Sequence, residues 1–511
     1  MLSDLYRGTK DGFCIGEMKY KAVLIPPIKT VRTTTLAALS EFIRSGGMIY
    51  VCGECPAYVD AELSNAAESV WSKAQKIDFS QAAILQALSD LRDIEIRGDA
   101  GNRRTDLIYT MRQDGDNKWL FIAHCDCASR MDGNDCAYDE LRITVKGIFT
   151  PTLYNTLDGS IRQASHKHEN GNTVIYAPCY PLDSFLYSLA PCSENCAIKT
   201  TTQIREKKAV QIYVPDFVSY ERSEPNVLVL DMPEWSRDGV HFMPREEMLR
   251  IDRIVRSQLG YPAADGCDVQ PWRLSATEPN EFVWLRFVIE SEIAVPCMLG
   301  YEYADSVRFN GKDIQVAKDG WYVDKEIYTM RLPSLVKGKN ELLVRVPISA
   351  RVSMENLFLL GDFGVETLGA QTKITELASS ITFDALRKQK LSFYGANITY
   401  KIPFECEAGD LTITTDYYIG ALVSARLDGK EIGKIVIPPY KLKFNNIEKG
   451  KHVLELTLFG TRVNTFGTLH LTTPKDWKGP DMWYSGNNMW SYEYCLQDMG
   501  LMKKPELTLE K

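Results

Sequence analysis

The chain has 511 residues, 45% hydrophobic and 25% charged, the make-up of a globular protein with length for roughly three to four domains. A formal net charge of -8 with a pI near 5.5, and no basic run with interleaved aromatics, exclude nucleic acid as a partner. No apolar run is long enough for a transmembrane helix, so no membrane partner is expected. The 13 scattered cysteines, with no apolar leader in the opening MLSDLYRGTKDGF, fit reduced thiols in the cytoplasm.

The first elements read as βαβ. Tyr20 to Ile25 is a short apolar strand stopped by Pro26-Pro27. A helix follows, with a Thr cap expected among Thr33 to Thr35 and an apolar face of Leu36, Leu39, Phe42 and Ile43. Gly46-Gly47 ends it, and Met48 to Val51 is the next strand, parallel to the first because the crossover is helical. A further helical stretch is expected over about residues 61 to 91. From residue 104 the texture turns to β. Asp106 to Arg112 and Trp119 to Ala123 flank a Gly-containing turn, Leu141 to Lys146 alternates, and Asn170-Gly171 links His166 to Val174–Tyr176. These predict an antiparallel sandwich, with residues 192 to 225 as a polar connection. Asn226 to Asp231 is a strand, and residues 244 to 260 carry helical spacing closed by Gly260.

The most informative pattern lies downstream. RFNGKDI at Arg308 to Ile314 is echoed about 115 residues later by RLDGKEI at Arg426 to Ile432. After each, Lys337-Gly338-Lys339-Asn340 and Lys449-Gly450-Lys451-His452 lead into alternating strands. Asn-Gly and Asp-Gly are hairpin turns, because both central residues must tolerate positive φ. One β-module therefore occurs twice, over about 275 to 365 and 375 to 475. The expected fold class is a small parallel α/β domain followed by β-sandwiches, two of them galactose-binding-like jelly rolls. The expected division is 1–98 for the α/β domain, 99–225 for the antiparallel sandwich and its connection, 226–368 and 369–476 for the two jelly rolls, and 477–511 for a docking tail rich in Trp and Tyr.

Signatures of chemistry are sparse. There is no G-x-S-x-G elbow, H-E-x-x-H, P-loop or G-x-G-x-x-G after the first strand, so no dinucleotide is expected. Cys52 and Cys55 have zinc-knuckle spacing, but Cys125 and Cys127 do not complete it; inert buried thiols account for them. The acidic loop with Asp132, Asp135 and Asp139 could gather oxygen ligands for calcium, although it lacks EF-hand spacing and reads equally as a solvated loop. No other cofactor is expected. Glycosidases need paired carboxylates, and Glu290 with Glu292, or Asp324 with Glu326, share a strand face with Cα atoms about 6.5–7 Å apart. Such spacing is also common among surface residues. Arg308, Trp321, Tyr322 and Asp324, near the first module's turns, are the candidates for contacting sugar hydroxyls and ring faces, against the alternative that they cap the sandwich.

The order of motifs resembles the C-terminal half of large bacterial glycoside hydrolases related to the α-L-rhamnosidases of glycoside hydrolase family 106. The carriers are YKAVLIP from Tyr20 with Leu39 to Phe42 and Gly46-Gly47, VKGIFTP from Val145 with Asp158-Gly159, NVLVLD from Asn226 and LGDFGV from Leu360. The most particular are FYGANITY from Phe393, Pro438-Pro439-Tyr440 and RVNTFG from Arg462. The resemblance implies an α/β domain and sandwiches that follow a catalytic barrel, with carbohydrate as ligand. The family's catalytic carboxylates sit in that barrel, which takes about 250 residues. Fewer than 20 residues precede Tyr20 here, so no catalytic residue carries over. The expected role is an accessory region partnered by a separate or upstream barrel. An active glycosidase using sandwich carboxylates, or a purely structural protein, are the alternatives. A barrel-docking face would leave an apolar patch and favour self-association.

Overall fold

In the N-terminal unit Ala22–Ile25 and Met48–Val51 pair in parallel, joined through the helix Thr33–Arg44, whose Leu36, Leu39 and Phe42 are buried. The computed structural model describes residues 5–10, 12–125, 139–192, 209–262, 280–473 and 489–510. The helix is not capped by its threonines. Arg32 is the N-cap residue, and Asp60 from a neighbouring turn accepts hydrogen bonds from the Thr33 amide (3.2 Å) and hydroxyl (2.5 Å). Residues 61–91 are not one helical stretch either. Two short helices, Glu68–Trp71 and Gln81–Ala87, flank Gln75–Lys76, which adds a third parallel strand beside Met48–Val51. Ser80 caps the second helix by accepting from the Ala83 amide, which starts a new helix there. The strand Tyr6–Thr9 lies against Thr33–Arg44 so closely that a Cβ on Gly8 would fall 2.2 Å from the Phe42 nitrogen. No described helix is long and apolar enough to cross a membrane.

The second unit is the expected antiparallel sandwich. One sheet orders Ile94–Arg97, Asp139–Lys146, Asn172–Cys179 and His166–Glu169. The other orders Leu107–Asp114, Asn117–His124, Ser184–Pro191, Phe149–Tyr154 and Ile161–Gln163. The Asn170-Gly171 turn has φ of 50° and 77° at its two central residues, as a tight hairpin requires. Leu120, Ile122, Leu141, Ile143, Val145 and Ile175 fill the space between the sheets.

Two further sandwiches carry the repeat, and one is inserted into the other. The inner sandwich places Asn226–Leu230, Leu357–Gly361, Val295–Tyr301, Asp324–Leu335 and Gly320–Tyr322 in one sheet. Lys312–Ile314, Ser306–Phe309, Gly338–Ile348, Glu281–Ser291, Gln371–Thr375 and Gly364–Leu368 run through the facing sheet, where Glu234–Ser236 also pairs with Glu281–Ser291. The outer sandwich repeats this plan. Lys430–Ile435, Val423–Leu427, Gly450–Leu458, Ile398–Cys406 and Ser219–Arg222 form one sheet. Lys441–Ile447, Gly409–Thr414, Glu506–Glu510 and Ala209–Ile212 form the other. Residues 209–222, expected to be a connection, thus supply two strands to the outer sandwich. The C-terminal strand, expected to belong to a docking tail, lies between Ala209–Ile212 and Gly409–Thr414. Both segments alternate too briefly to be recognised before their distant partners are known.

The repeated turns have a common physical purpose. Asn310 and Asp428 both take positive φ (47° and 48°) ahead of Gly311 and Gly429. Each then clamps the following long strand. Asn310 donates its amide to Glu341 O and accepts the Glu341 amide on its side chain, both at 2.8 Å. Asp428 does the same with Val453, at 3.0 and 2.9 Å.

Leu507 is fully buried in the strand that closes the outer sandwich. Leu507→Ala is expected to destabilise that sandwich by about 2–5 kcal/mol, read as lost amide protection in Ile398–Cys406 and Gly409–Thr414. Unchanged protection would show the strand to be an appendage.

Candidate functional site

One end of the inner sandwich's first sheet collects most of the unusual side chains. The register fixes this: Leu230 lies opposite Leu357, Gly300 opposite Phe358, Tyr301 opposite Tyr328, and Trp321 opposite Tyr328. Asp231, Glu355, Glu302, Asp324 and Glu326 therefore stand at or just beyond adjacent strand ends. Glu247 joins them because the Met248 amide bonds Asp231 O at 2.9 Å, setting the start of the helix Met248–Leu259 against the sheet end.

The deep part of this rim is a buried polar centre. Asp231 is 1% exposed and accepts from the Tyr494 hydroxyl at 2.7 Å and His470 Nε2 at 3.1 Å. His470 Nδ1 faces the Glu493 carbonyl at 3.2 Å. Both ring nitrogens thus meet acceptors, which only an imidazolium satisfies. Burial opposes that charge, yet the hydrogen bond and charge of Asp231, with Glu247 nearby, raise the His470 pKa above 6.5. Glu247 caps the helix by accepting from the Arg250 amide. Burial first, then the Asp231 charge, push its carboxyl up to about 7. Arg250 stacks on Trp490 at 4.3 Å, and Tyr492 donates to Glu246 at 2.9 Å, so the aromatic segment after residue 489 does dock onto its own protein. The cavity enclosed by Asp231, Glu247, Glu355, His470 and Trp490 measures about 30 Å³. A bound sugar needs roughly tenfold more, whereas a water molecule fits.

The rim opens toward Trp321. A register shift between Trp321 and Tyr322 bulges this edge strand, and Val323 takes φ 62°, a conformation that β-branched residues avoid at a cost of order 1–3 kcal/mol. The bulge leaves Trp321 58% exposed while Tyr322 turns into the core against Phe358 and Phe466. Tyr301, Tyr328 and Trp321 line up across three strands, and Lys318 Nζ sits 3.5 Å over the Tyr328 ring. Exposed Tyr303 stands beside them. Burial, followed by the Asp324 and Glu326 charges, raises the Glu302 pKa. Glu355 is exposed at the mouth, near the Glu302 and Asp252 charges. Its loop is held by the buried Arg256–Asp252 pair (2.7 Å), in which Arg256 also donates to Ala350 O and Val352 O and Asp252 accepts the Met354 amide.

Of the residues singled out from sequence, the structure brings Trp321 and Asp324 to this rim. Tyr322 is core. Arg308 lies on the facing sheet, in an exposed cross-hairpin pair with Asp313 at 2.7 Å. Glu290 and Glu292 are exposed, Glu292 bound to Lys373 at 2.6 Å. Asp139 accepts from Arg104 at 2.6 Å and from the Asp99 amide at 3.0 Å. Asp132 and Asp135 lie outside the described residues. Sequence reasoning missed Asp231, Glu247, His470, Glu302 and Glu355. Asp231 ends a recognised strand, but nothing local announces a partner 239 residues away. It also missed a Cys179–His124–Asp106 line, with 3.5 Å at each step. Burial pushes that thiol up to about 12, which leaves it inert as a nucleophile.

No protein-family model and no curated relative matches the chain. Among solved structures, a rhamnosidase from Novosphingobium sp. PP1Y aligns with 99% of this chain and 35% of its own, at 13% identity and TM-score 0.48. The α-L-rhamnosidase of Streptomyces avermitilis complexed with L-rhamnose aligns with 81% of this chain and 39% of its own, at 12% identity and TM-score 0.22. A β-glucuronidase of Ruminococcus gnavus aligns with 47% of this chain and 40% of its own, at 8% identity and TM-score 0.18. The chain spans 35–40% of the length of these structures. At such identities the likeness informs neither substrate nor catalytic residues.

The buried centre has a pH signature. Glu247 and His470 both bind a proton more tightly in the folded state than unfolded. Their contribution is complete at pH below about 4.5 and is lost as pH rises, Glu247's by about 7 and His470's at higher pH. Thermal midpoints should therefore fall from pH 5 to pH 8. Glu247→Gln should remove part of the fall and exceed wild type at pH 8 by on the order of 2 kcal/mol. Equal falls in both proteins would contradict a buried, proton-holding Glu247.

Proposed function

We propose that this chain is the carbohydrate-binding accessory region of a glycoside hydrolase of the α-L-rhamnosidase type, acting with a catalytic barrel carried outside the chain. The observation that carries the reading is exposed Trp321, presented by a strained bulge beside Asp324, Glu326 and Glu302. A flat indole takes the apolar face of a pyranose, and carboxylates accept from the ring hydroxyls. Tyr303 widens the platform, and Lys318, fixed over Tyr328, supplies a donor. The motifs running from Tyr20 to Gly467 support the family assignment. An apolar groove of about 320 Å³ on the N-terminal unit, lined by Tyr6, Phe13, Tyr20, Val23, Ile25 and Trp71 beside the strand Ala22–Ile25, could seat a few side chains of such a barrel.

A second reading has one observation in its favour. Glu302 is pushed toward its neutral form next to two exposed carboxylates, and pairs whose environments separate their pKa values serve as acid and base. Titration of the purified chain with rhamnosyl, galactosyl and glucuronosyl oligosaccharides distinguishes the two. Trp321→Ala should weaken binding at least tenfold, about 1.4 kcal/mol, with no turnover of aryl glycosides by the wild type. Turnover abolished by Glu302→Gln or Asp324→Asn would replace the accessory reading with the catalytic one. No binding to any of the sugars would remove both.

A further inference from the structure

A second site lies in the 94–191 sandwich, away from the rim. His166 and His168 sit two residues apart on the edge strand His166–Glu169, so both project from one face. Each ring spends one nitrogen on a backbone carbonyl: His166 Nδ1 on Ala164 O and His168 Nε2 on Phe149 O, both at 2.9 Å. A carbonyl only accepts, so those nitrogens carry the protons and neutral rings hold their lone pairs on the other side. The remaining nitrogens, His166 Nε2 and His168 Nδ1, are both buried and have no hydrogen-bond partner in the protein. Two orphaned buried acceptors on neighbouring rings are costly unless something answers them.

The ring centroids are 5.4 Å apart. Two imidazoles bound to one metal, with metal–nitrogen bonds of about 2.0–2.1 Å, have centroids about 4.5 Å apart at a right angle and about 5 Å at a tetrahedral one, so a small shift of either ring closes the pair on an ion. Carbonyl acceptors behind the rings are also the outer-shell partners that metal-bound histidines use to fix tautomer and orientation. We propose that His166 and His168 chelate a divalent transition-metal ion through His166 Nε2 and His168 Nδ1. Among the described residues no third His, Cys, Asp or Glu joins them, so water completes the coordination. Two neutral imidazoles with water select Cu²⁺ and Ni²⁺ ahead of Mn²⁺, and exclude calcium, which takes oxygen ligands. The ion would fix the edge strand to Phe149 of the opposite sheet through the His168 bond.

The test is titration of the full chain, its reachable thiols first alkylated, with Cu²⁺ at neutral pH, followed by electron paramagnetic resonance, in a His241→Gln/His452→Gln background that removes the two imidazoles paired with Asp238 and Asp428. One ion per chain with two equatorial nitrogens is expected. His168→Gln should weaken binding at least tenfold and lower the nitrogen count to one. Should that variant fail to fold, Ni²⁺ added to the background protein must still raise the thermal midpoint of the 94–191 sandwich. Fewer than two nitrogens, affinity unchanged by His168→Gln, or no Ni²⁺ effect would overturn the proposal, leaving a water that donates to both nitrogens.

Discussion

The closure of the outer sandwich by its last strand is the constraint on which the rest depends. Ala209–Ile212 and Ser219–Arg222 are laid down before the inner sandwich, while Ile398–Cys406 and Glu506–Glu510 arrive after it. The outer core cannot form until both ends of the insert are in place. Pairings that distant in sequence carry a high loop-closure cost, which the buried Leu411, Ile413, Leu507 and Leu509 must outweigh. The Asp231–His470–Tyr494 contacts then tie the returning chain to the inner sandwich. A buried ion pair of this kind adds little net stability by itself, but breaking one side leaves a charge without compensation. It fixes where the end of the sheet meets the chain that covers it.

That arrangement explains why the candidate site is where it is. Strand ends converge on one edge of the inner sandwich, as functional residues do when a rigid sheet presents loops. At its deep end the polar groups are satisfied by one another and the cavity is small. At its open end the Trp321 bulge departs from regular pairing and Val323 is held in a strained conformation that the surrounding β-structure imposes. The outer sandwich repeats the turn and clamp geometry of Asn310 at Asp428. The copies share a scaffold, and what the inner one adds is the acidic and aromatic rim.

Much of the scaffold is legible in local sequence because its signals are local. Asn310-Gly311 and Asp428-Gly429 announce hairpins, Gly260 with φ 69° closes its helix, and the alternation in Leu141 to Lys146 gives the buried face directly. Sequence is weaker where meaning depends on distant partners. Val210 and Ile212 look like residues of a polar connection until Leu507 and Leu509 are found opposite them. The site divides the same way. Trp321 and Asp324 are visible as residues near the first module's turns, but the one-residue bulge that sends Trp321 out and Tyr322 in has no local signature. His470 stands in a turn that carries no local mark of a site until Asp231 is placed beside it.

A sugar held at the open rim would cover the ends of three strands there. Amide hydrogen exchange of the whole chain, with and without a bound oligosaccharide, tests this most directly. Added protection is expected in residues 301–305, 320–328 and 354–356, the three strand ends at the open rim. Protection centred instead on the matching turn of the outer sandwich, residues 426–432, or on the N-terminal groove would contradict it.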